Sequence, residues 1–381
     1  MVGAGRMGRI RSLSANSHPQ SELVEVVDTI AEHARSLAAE AGCQAGKDWQ
    51  KLIEREDVDA IVVATPHKFL APITTAALNA GKYVFCEKPG ARNATEAEIV
   101  LRTAYGKTPT KELEPAVPMA PQSNTRLFVG FTLRHYPAVV RARELVAAGV
   151  IGEPMYVLGR YGHGGRPDYN LEWRGDREMA GGGELLDQGV HLIDLSRCFL
   201  GEFEQVFGSV STYFWGSKQN PKDGKLEDNA FLCLRTNVGR LAWLHASWTQ
   251  WKNLFSFEIY GEDGALHING LSGYYGPQQL QIIRRPPGGG PPEVQEVDFT
   301  SGQRQNALDE VWVKEWATFI SSVIGGEQEQ NGNQTMRSAC GVDAWEALKI
   351  VEATYEASRS GTSIMLQRSA AGVYDASLSA N

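Results

Sequence analysis

The stretch "MVGAGRMGRI", residues 1–10, determines how the N-terminal part of the chain is interpreted. It places Gly3, Gly5 and Gly8 in GxGxxG spacing directly before a helical pattern. In such a turn the first glycine makes a tight bend, the second lets the backbone approach a pyrophosphate, and the third lets the helix pack close to its strand. The amides at the helix N-terminus attract an anion. The stretch therefore predicts a dinucleotide-binding turn, and because glycine-rich turns are common it needs support from other segments.

Asp28 gives that support. It ends the strand pattern "ELVEVVD" (22–28) about 20 residues after Gly8, where a carboxylate accepts hydrogen bonds from an adenosine ribose. Thr29 and Ile30 follow it and offer no cation for a 2′-phosphate, so the sequence favours NAD over NADP. Asp28 could instead be the N-cap of the next helix. One carboxylate could also do both, as acceptor for the ribose and as N-cap.

The strand before the glycine turn is short. Only Met1 and Val2 precede Gly3, whereas a strand usually supplies about five residues. We therefore expect the first strand, which is usually central in such a sheet, to be nearly missing, or the chain to have been started too late. A chain that begins here is expected to be less stable than its relatives.

Residues 1–136 alternate strand and helix patterns, which is typical of βαβ units and a doubly wound parallel sheet of the Rossmann kind. The strand patterns are 22–28, 59–66, 82–89 and 126–131, and the helical patterns include 29–42 and 71–81. Residues 104–126 interrupt the alternation with several prolines and are expected to form an exposed insertion.

From residue 137 the pattern changes to a helix followed by long β-like segments joined by glycine-rich turns. This order predicts a C-terminal α+β domain, residues 137–361, with a large and mostly antiparallel open sheet. Its last helix is expected to pack back on the Rossmann domain, and residues 362–381 are expected to be a tail. The polar stretch 217–229 looks like an added loop.

Composition excludes several classes of protein. A length of 381 residues suggests two domains, and a net charge of −8 argues against general nucleic-acid binding. No apolar run approaches the roughly 18 residues of a membrane helix. The five cysteines lack CxxC spacing, so we expect no metal site and a reducing, cytoplasmic compartment.

Two places offer groups for proton transfer. Lys88 follows the apolar run "YVFC" (83–86), and Asp187 and His191 stand four residues apart in "GGGELLDQGVHLIDL" (181–195). If that segment is helical, the two side chains share one face, and the three glycines would let the chain approach a ligand closely. Taken alone, Lys88 could simply mark where the strand meets water, and Asp187 and His191 could be a solvated helix pair.

Together these segments resemble the family of glucose-fructose oxidoreductase, inositol dehydrogenase and MocA. The matches follow the family's order from Val2 to Gly361: the GxGxxG turn, "ATP" (64–66), "EKP" (87–89), "VGFTLRHYP" (129–137), "GEP" (152–154), "WR" (173–174) and residues 181–195. The resemblance implies an active site between the two domains. It also implies a homodimer or homotetramer formed through the C-terminal sheet.

The resemblance assigns roles by position. Lys88 would hydrogen-bond the reacting oxygen, with Pro89 after a cis bond that fixes the direction of the lysine. Asp187 would orient the substrate and His191 would be the general acid or base. The remaining cofactor contacts would be Gly3, Gly5, Arg6, Met7, Gly8, Asp28, Thr65, Pro66, His67 and Glu87, the last at the ribose on the nicotinamide side. Weaker candidates for substrate contacts are Arg134, Tyr169, Trp173 and Arg174.

The ordinary pKa values agree with these roles. Histidine, at about 6.5, exchanges protons near neutrality, whereas lysine, at about 10.4, would need its pKa lowered by roughly three units to act as a base. We therefore expect Lys88 to donate a hydrogen bond as a cation and His191 to move the proton.

Three departures from the family affect the expected substrate range. Leu70 stands where many relatives have a histidine, and both the 104–126 and 217–229 segments look added. Trp243, Trp248 and Trp251 could stack on a sugar, but we favour core and interface roles for them.

These observations predict an NAD(P)-dependent dehydrogenase for a sugar, sugar nucleotide or cyclic polyol. Two alternatives remain open: a glycosidase that oxidises its substrate transiently with NAD, and a non-catalytic regulator that binds the dinucleotide. The presence of Lys88, Asp187 and His191 argues against the regulator, and a methyltransferase would have no use for "EKP".

Overall fold

The computed structural model describes residues 1–105, 126–168, 171–215, 226–299, 310–324, 338–368 and 374–375. The described residues form two units. The N-terminal unit contains residues 1–105, 126–135, 310–324 and 338–345, and the C-terminal unit contains the others. The predicted border at 136/137 lies one residue from the division between His135 and Tyr136. Most of the predicted insertions at 104–126 and 217–229 lies outside the described residues.

The N-terminal unit is built on a parallel sheet. Its strands are β1 Glu25–Val27, β2 Gln44–Gly46, β3 Ala60–Val63, β4 Tyr83–Cys86 and β5 Leu127–Val129. Val2 bridges β1 at Val27 and β3 at Val63, which gives the order β2-β1-Val2-β3-β4-β5. This is the strand order of a dinucleotide-binding sheet. The strand β2 has no large apolar side chain and is mostly exposed, and it was not predicted.

The first strand is as short as the sequence predicts, yet its backbone is hydrogen-bonded to the strands on both sides. The Val2 amide donates to Val62 O at 2.8 Å, and the Ala64 amide donates to Val2 O at 2.8 Å. On the other side the Gly3 amide donates to Val27 O at 2.9 Å. Val2 therefore occupies the central position of the sheet.

Helices cover both faces of this sheet, as its doubly wound order requires. They are α1 Arg6–Ser17, α2 Ala31–Ala41, α3 Trp49–Glu54, α4 His67–Asn79, α5 Ala94–Tyr105 and α9 Glu310–Ile324. The helix α2 ends at Gly42, whose φ of 72° is the left-handed conformation that glycine adopts most readily. The helix α4 begins at His67, four residues before the predicted start.

The core of the N-terminal unit includes aromatic residues from a distant part of the sequence. The Phe319 ring of α9 lies 5.5 Å from the Phe85 ring of β4 and 5.1 Å from the Phe128 ring of β5. The last helix, α10 Gly341–Ser360, was expected to pack back on this domain. Its first residues, 341–345, belong to this unit, and a Cβ on Gly341 would lie 2.5 Å from the Leu127 side chain of β5, so the start of α10 packs here in addition to α9, which was not predicted.

Nine strands of the described part of the C-terminal unit form one open sheet. They are β6 Pro154–Gly162, β7 Phe203–Ser211, β8 Asn229–Thr236, β9 Leu241–Ser247, β10 Leu254–Gly261, β11 Gly264–Asn269, β12 Gln279–Arg284, β13 Glu293–Asp298 and β14 Ile364–Met365. Their order is β13-β12-β11-β10-β6-β9-β8-β7-β14, antiparallel except between β6 and β9. The strand β14 comes from the predicted tail. The predicted fold class is confirmed.

The two faces of this sheet differ in burial. On one face Val157, Leu244 and Phe257 are buried, and the helix α8 Val190–Leu200 packs there. The other face exposes large apolar residues, among them Trp243 at 56%. Further helices of the unit are α6 Pro137–Ala147 and α7 Arg177–Ala180. No helix in the described ranges is long and apolar enough to cross a membrane.

Candidate functional site

The carboxyl ends of the parallel strands bring most of the predicted cofactor residues to one edge of the N-terminal sheet. Val2 is paired with Val27 and Val63, and Val63 is paired with Cys86. The residues that follow these positions, Gly3, Asp28, Ala64 and Glu87, therefore leave the sheet at the same edge. In an open parallel sheet this edge, where the strand order reverses, is the place for a ligand.

The three glycines of the turn meet different surroundings. Gly3 has a φ of 97°, and a Cβ on it would lie 2.5 Å from Ala64 O. A Cβ on Gly8 would lie 1.9 Å from Gly3 O, so only glycine lets α1 begin this close to the turn. A Cβ on Gly5 would meet no protein atom within 4 Å. Gly3 and Gly8 are thus required by the backbone, whereas Gly5 leaves open space at the start of α1.

Asp28 joins two segments at this edge. Its Oδ2 accepts from the Ala4 amide at 2.7 Å, and its Oδ1 accepts from the Ile30 amide at 2.8 Å. The N-cap of α2 is Ile30, so the interpretation of Asp28 as that N-cap is wrong. The carboxylate fixes the glycine turn relative to β1, and its predicted contact with a ribose remains a prediction.

The segment after β3 adds a buried hydroxyl. Pro66 is the N-cap of α4 and His67 is its buried first residue. The Thr65 Oγ1 is buried and finds no hydrogen-bond partner among the described residues. The Thr65 amide lies 3.2 Å from where a Cβ on Gly3 would stand, which places the segment against the glycine turn.

These residues fit a bound dinucleotide. The N-terminus of α1, where Arg6 and Met7 form the first turn, presents amides to the open space at Gly5. The unsatisfied Thr65 hydroxyl lies in the same region. A buried polar group without a partner is costly, so a ligand that hydrogen-bonds it would be favoured.

Glu87 and Lys88 follow β4, and the Lys88–Pro89 peptide is cis, as the resemblance implies. The Glu87 Oε1 accepts from Arg11 Nε at 2.7 Å. Arg11 is fully buried and also donates to Glu315 Oε2 at 2.6 Å. Burial opposes the charge on Arg11, but the two carboxylates outweigh it and raise the pKa of its guanidinium.

The structure therefore gives Glu87 a contact that the sequence did not predict. The Arg11 side chain lies over the Phe85 ring at 4.4 Å, which makes it part of the core. An arginine in an amphipathic helix is usually exposed, and Glu315 is distant in sequence, so no local pattern indicated this cluster. Lys88 itself is partly exposed at the strand end.

The second group of candidates lies in the C-terminal unit. Asp187 is in a π-helical turn, Leu185–Gly189, that continues into α8, and His191 is the second residue of α8. The segment is helical, as predicted. Its π-helical turn was not predicted, and such turns are frequent at functional sites.

Arg174 is tied to this segment. Its Nε donates to Asp187 Oδ2 at 2.9 Å, and its guanidinium lies over the Trp173 ring at 4.4 Å. The Asp187 side chain is 8% exposed and the Arg174 side chain 27%. The structure thus brings together Asp187, Trp173 and Arg174, and His191 follows Asp187 by four residues in the same helical segment of this unit.

Two tyrosines of this segment's surroundings were not predicted: Tyr161, whose ring lies near His191, and Tyr275, whose ring lies near Tyr161. The Tyr161 ring lies 6.1 Å from the His191 ring and 5.3 Å from the Tyr275 ring. The Gln188 Nε2 donates to Tyr275 Oη at 3.4 Å. Burial raises the pKa of Tyr275 to about 12, so its hydroxyl stays protonated near neutrality. Both tyrosines come from segments far from residue 191, and no spacing pattern indicates their approach.

Two of the glycines 181–183 make room for protein atoms. A Cβ on Gly182 would lie 2.3 Å from Tyr355 Oη, and a Cβ on Gly183 would lie 2.1 Å from Glu227 O. Protein atoms therefore occupy the space where side chains at 182 and 183 would stand. Close approach of this segment to a ligand stays a prediction.

The two remaining substrate candidates are Arg134 and Tyr169. Arg134 is 2% exposed, belongs to the N-terminal unit, and pairs with Asp343 at 3.1 Å. Tyr169 lies outside the described residues. Within the described ranges no cluster of three or more histidine, cysteine, aspartate or glutamate residues could hold a metal ion.

Comparisons with known proteins agree with this geometry. Residues 1–110 match the oxidoreductase family with an NAD-binding Rossmann fold, and residues 139–267 match the GFO/IDH/MocA C-terminal domain. Levoglucosan dehydrogenase of Pseudarthrobacter phenanthrenivorans is 28% identical over 74% of this chain and 75% of its own length. Inositol 2-dehydrogenase of Rubrobacter xylanophilus is 26% identical over 95% of this chain and 90% of its own length.

Solved structures show the same fold. A levoglucosan dehydrogenase in complex with NADH and levoglucosan has a TM-score of 0.79, with 22% identity over 96% of this chain and 97% of its own. An oxidoreductase domain protein from Kribbella flavida has a TM-score of 0.78, with 25% identity over 96% and 98%. The family inferred from the motifs is confirmed, and with it NAD as the cofactor of that family. The chain belongs to the GFO/IDH/MocA family of oxidoreductases, whose N-terminal domain is an NAD-binding Rossmann fold.

Proposed function

We propose that this chain is an NAD-dependent dehydrogenase that acts on a secondary hydroxyl, or the corresponding ketone, of a sugar, sugar nucleotide or cyclic polyol. The observation that carries the proposal is the edge of the parallel sheet, where open space at Gly5 and the end of the Lys88 strand lie together. The relatives named for levoglucosan and inositol favour a cyclic, hydroxyl-rich substrate. A cytoplasmic location remains part of this proposal.

NAD, when bound, supplies the hydride acceptor. The amides of the glycine turn and the N-terminus of α1 hold its phosphates, and Asp28 and Thr65 offer polar contacts beside them. Lys88 donates a hydrogen bond, as a cation, to the oxygen that changes oxidation state. His191 removes the hydroxyl proton during oxidation and returns it during reduction.

Asp187 orients the substrate in this scheme, and Arg174 holds Asp187. The bond between Arg174 Nε and Asp187 Oδ2 fixes one carboxylate oxygen, and the stacking of Arg174 on Trp173 limits its movement. A carboxylate held in this way has a defined direction for its other oxygen. Side chains fixed before the substrate arrives lower the entropic cost of reaching the reactive geometry.

The test is a screen for NADH formation with cyclic polyols, anhydrosugars, aldoses and nucleotide sugars. We expect NADH to form with at least one of these classes and with no added metal. Release of the aglycone from a glycoside without net NADH would identify the glycosidase instead. Binding of NAD with no conversion of any class would favour a regulator.

Replacement of the proposed acid-base groups tests the residue roles. Lys88→Met and His191→Asn are each expected to lower kcat by about 10²- to 10⁴-fold, because positioned proton donors and acceptors contribute that much. The Kd for NAD should stay near the wild-type value in both variants. Matched controls are Lys47→Met and His33→Asn, whose side chains are exposed in the N-terminal unit. Wild-type turnover in either test variant would contradict its assigned role.

We also propose that the open face of the C-terminal sheet binds a second copy of the chain. Leu158 of β6 and Trp243 of β9 are paired in register on this face and are 38% and 56% exposed. Phe207 of β7, which is 48% exposed, continues this row of apolar side chains. Exposed apolar stripes of this kind mark protein interfaces.

Sedimentation velocity tests this pairing. We expect the wild type to sediment as a dimer or tetramer and Trp243→Asp to shift to monomer, because a buried unpaired carboxylate is costly. Tyr274→Asp is the control, since Tyr274 is 87% exposed and lies off the sheet. A monomeric wild type at all concentrations would contradict the proposal.

A further inference from the structure

A single buried residue, Glu227, accepts backbone hydrogen bonds at the start of the helix that carries Asp187 and His191. The Glu227 Oε1 accepts from the Gly183 amide at 2.9 Å and from the Leu185 amide at 3.3 Å. The Glu227 carbonyl oxygen accepts from the intervening Glu184 amide at 3.0 Å. Three consecutive amides, 183–185, are therefore satisfied by one residue. We call residues 181–185, which include these three amides and the glycines before them, the GGG turn.

Tyr355 of α10 completes the arrangement. Its Oη donates to the same Glu227 Oε1 at 2.7 Å. The glycines leave room for this contact, because a Cβ on Gly182 would lie 2.3 Å from that hydroxyl. Glu227 is 6% exposed, so the three donors reach its Oε1 in a site shielded from water. Burial raises the pKa of the Glu227 carboxyl, and the donor groups of Tyr355, Gly183 and Leu185 oppose that change.

This arrangement performs the task of an N-cap with a side chain from another segment. The first amides of a helix have no partner within the helix, and an oxygen that accepts from them stabilises its start. The helix here begins with a π-helical turn, Leu185–Gly189, which contains Asp187. An α-helix rotates by about 100° per residue, so a change in this turn would redirect the Asp187 side chain relative to α8.

We propose that Glu227, supported by Tyr355, is a positioning residue that fixes the GGG turn and thereby the directions of Asp187 and His191. This inference rests on the proposed function, in which those two side chains handle the substrate. Neither Glu227 nor Tyr355 needs to touch the substrate for this role. The prediction differs from a general contribution to stability, because it concerns the segment 183–191 and the rate of the chemical step.

Asp228 provides a matched control in the adjacent position. It is also buried, and its carboxylate accepts from three amides, those of Tyr213, Phe214 and Trp215, at 2.7–2.9 Å. It therefore fixes a different segment with a similar number of bonds. Asp228→Asn and Glu227→Gln make the same chemical change one residue apart.

The experiment combines hydrogen–deuterium exchange of residues 183–191 with steady-state kinetics on the full chain. Glu227→Ala should lose exchange protection in this segment and lower kcat by about 10²-fold, since small misplacements of catalytic groups have effects of that size. Glu227→Gln keeps an acceptor oxygen and should restore most of both properties. Tyr355→Phe keeps the ring but loses the hydroxyl. Its exchange protection in residues 183–191 and its kcat should both lie between those of Glu227→Ala and those of the wild type. Asp228→Asn should leave protection of residues 183–191 and kcat close to wild type.

The outcomes separate this inference from the proposed function. Exchange is measured without substrate, so wild-type protection in both Glu227→Ala and Tyr355→Phe would overturn the inference whatever the activity. An unchanged kcat in these variants, with an active wild type, would overturn it as well. If Glu227→Ala fails to fold, Tyr355→Phe decides in the same way. Lost protection in an enzyme that forms no NADH with any substrate class would contradict the proposed function alone.

Discussion

The turn at residues 3–8 and the GGG turn at residues 181–185 are both rich in glycine, and each leads into a helix with predicted site residues. In the first turn Gly5 faces open space, with no protein atom within 4 Å of a Cβ. In the second turn, a Cβ on Gly182 would lie 2.3 Å from Tyr355 Oη, and a Cβ on Gly183 would lie 2.1 Å from Glu227 O. The same residue type therefore leaves open space in one turn and makes room for other protein atoms in the other.

The comparison separates two meanings of a glycine in a functional segment. A glycine required by neighbouring backbone, such as Gly8 or Gly183, indicates a folding constraint. A glycine with an ordinary backbone conformation and no neighbouring protein atom is not required by packing, and at the N-terminus of a helix the space beside it can admit an anion. Gly5 is of the second kind, because its φ of −74° is accessible to any residue. Alanine substitutions should therefore lower the free energy of unfolding at glycines of the first kind and leave it nearly unchanged at glycines of the second kind.

The largest loss of stability is expected where the added Cβ meets backbone. Gly8→Ala would place its Cβ 1.9 Å from Gly3 O, and Gly183→Ala would place its Cβ 2.1 Å from Glu227 O. Neither neighbour can rotate away, so each change should lower the free energy of unfolding by roughly 3 kcal/mol, the upper end for overpacking. Urea unfolding measures this, with Gly5→Ala as the control. Wild-type stability of Gly183→Ala would remove the distinction between the two turns.

A smaller loss is expected at Gly182. Its added Cβ would meet the Tyr355 hydroxyl, which is the end of a side chain and can shift. Gly182→Ala should cost about 1–2 kcal/mol, because the Tyr355–Glu227 hydrogen bond is weakened or lost. In the double variant Gly182→Ala/Tyr355→Phe the loss should be smaller than the sum of the single losses. If the loss in free energy of unfolding of the double variant equals the sum of the two single losses, the contact between Gly182 and Tyr355 is contradicted.

A still smaller loss is expected at Asp28, which fixes the first turn from outside. Asp28→Ala removes the acceptor for the Ala4 and Ile30 amides and should cost about 1 kcal/mol of stability. If the carboxylate also contacts a ribose, the Kd for NAD should rise about tenfold, which is 1.4 kcal/mol. Asp48→Ala is the control, since it removes a carboxylate with two similar backbone contacts at α3. An unchanged Kd in Asp28→Ala would limit Asp28 to a structural role.

Much of the N-terminal unit could be predicted from sequence, because its information is local. Apolar runs alternating with helical patterns predict a parallel sheet, and the GxGxxG spacing locates the edge where the cofactor residues collect. The strand β2, Gln44–Gly46, was missed because it is short, polar and mostly exposed. Its pairing with β1 is decided by position in the sheet and not by hydrophobic pattern.

The support of the candidate site could not be predicted, because it depends on contacts between distant residues. Arg11 meets Glu87 and Glu315, and Glu227 meets Gly183. Each of these side chains would be assigned to the surface by its residue type. The glycines at 181–183 were expected to let the chain approach a ligand, and only the positions of Glu227 and Tyr355 show what occupies the space beside Gly182 and Gly183.

The most direct test of the space at Gly5 is a calorimetric titration of Gly5→Val with NAD. The variant should lose only about 1 kcal/mol of the free energy of unfolding, because Gly5 is the N-cap of α1, where valine is less favourable than glycine, and the added Cβ meets no protein atom. Its Kd for NAD should rise at least tenfold, or about 1.4 kcal/mol, because the valine side chain enters the space at the N-terminus of α1. Wild-type affinity for NAD in a stable Gly5→Val protein would contradict the assignment of this turn to the cofactor.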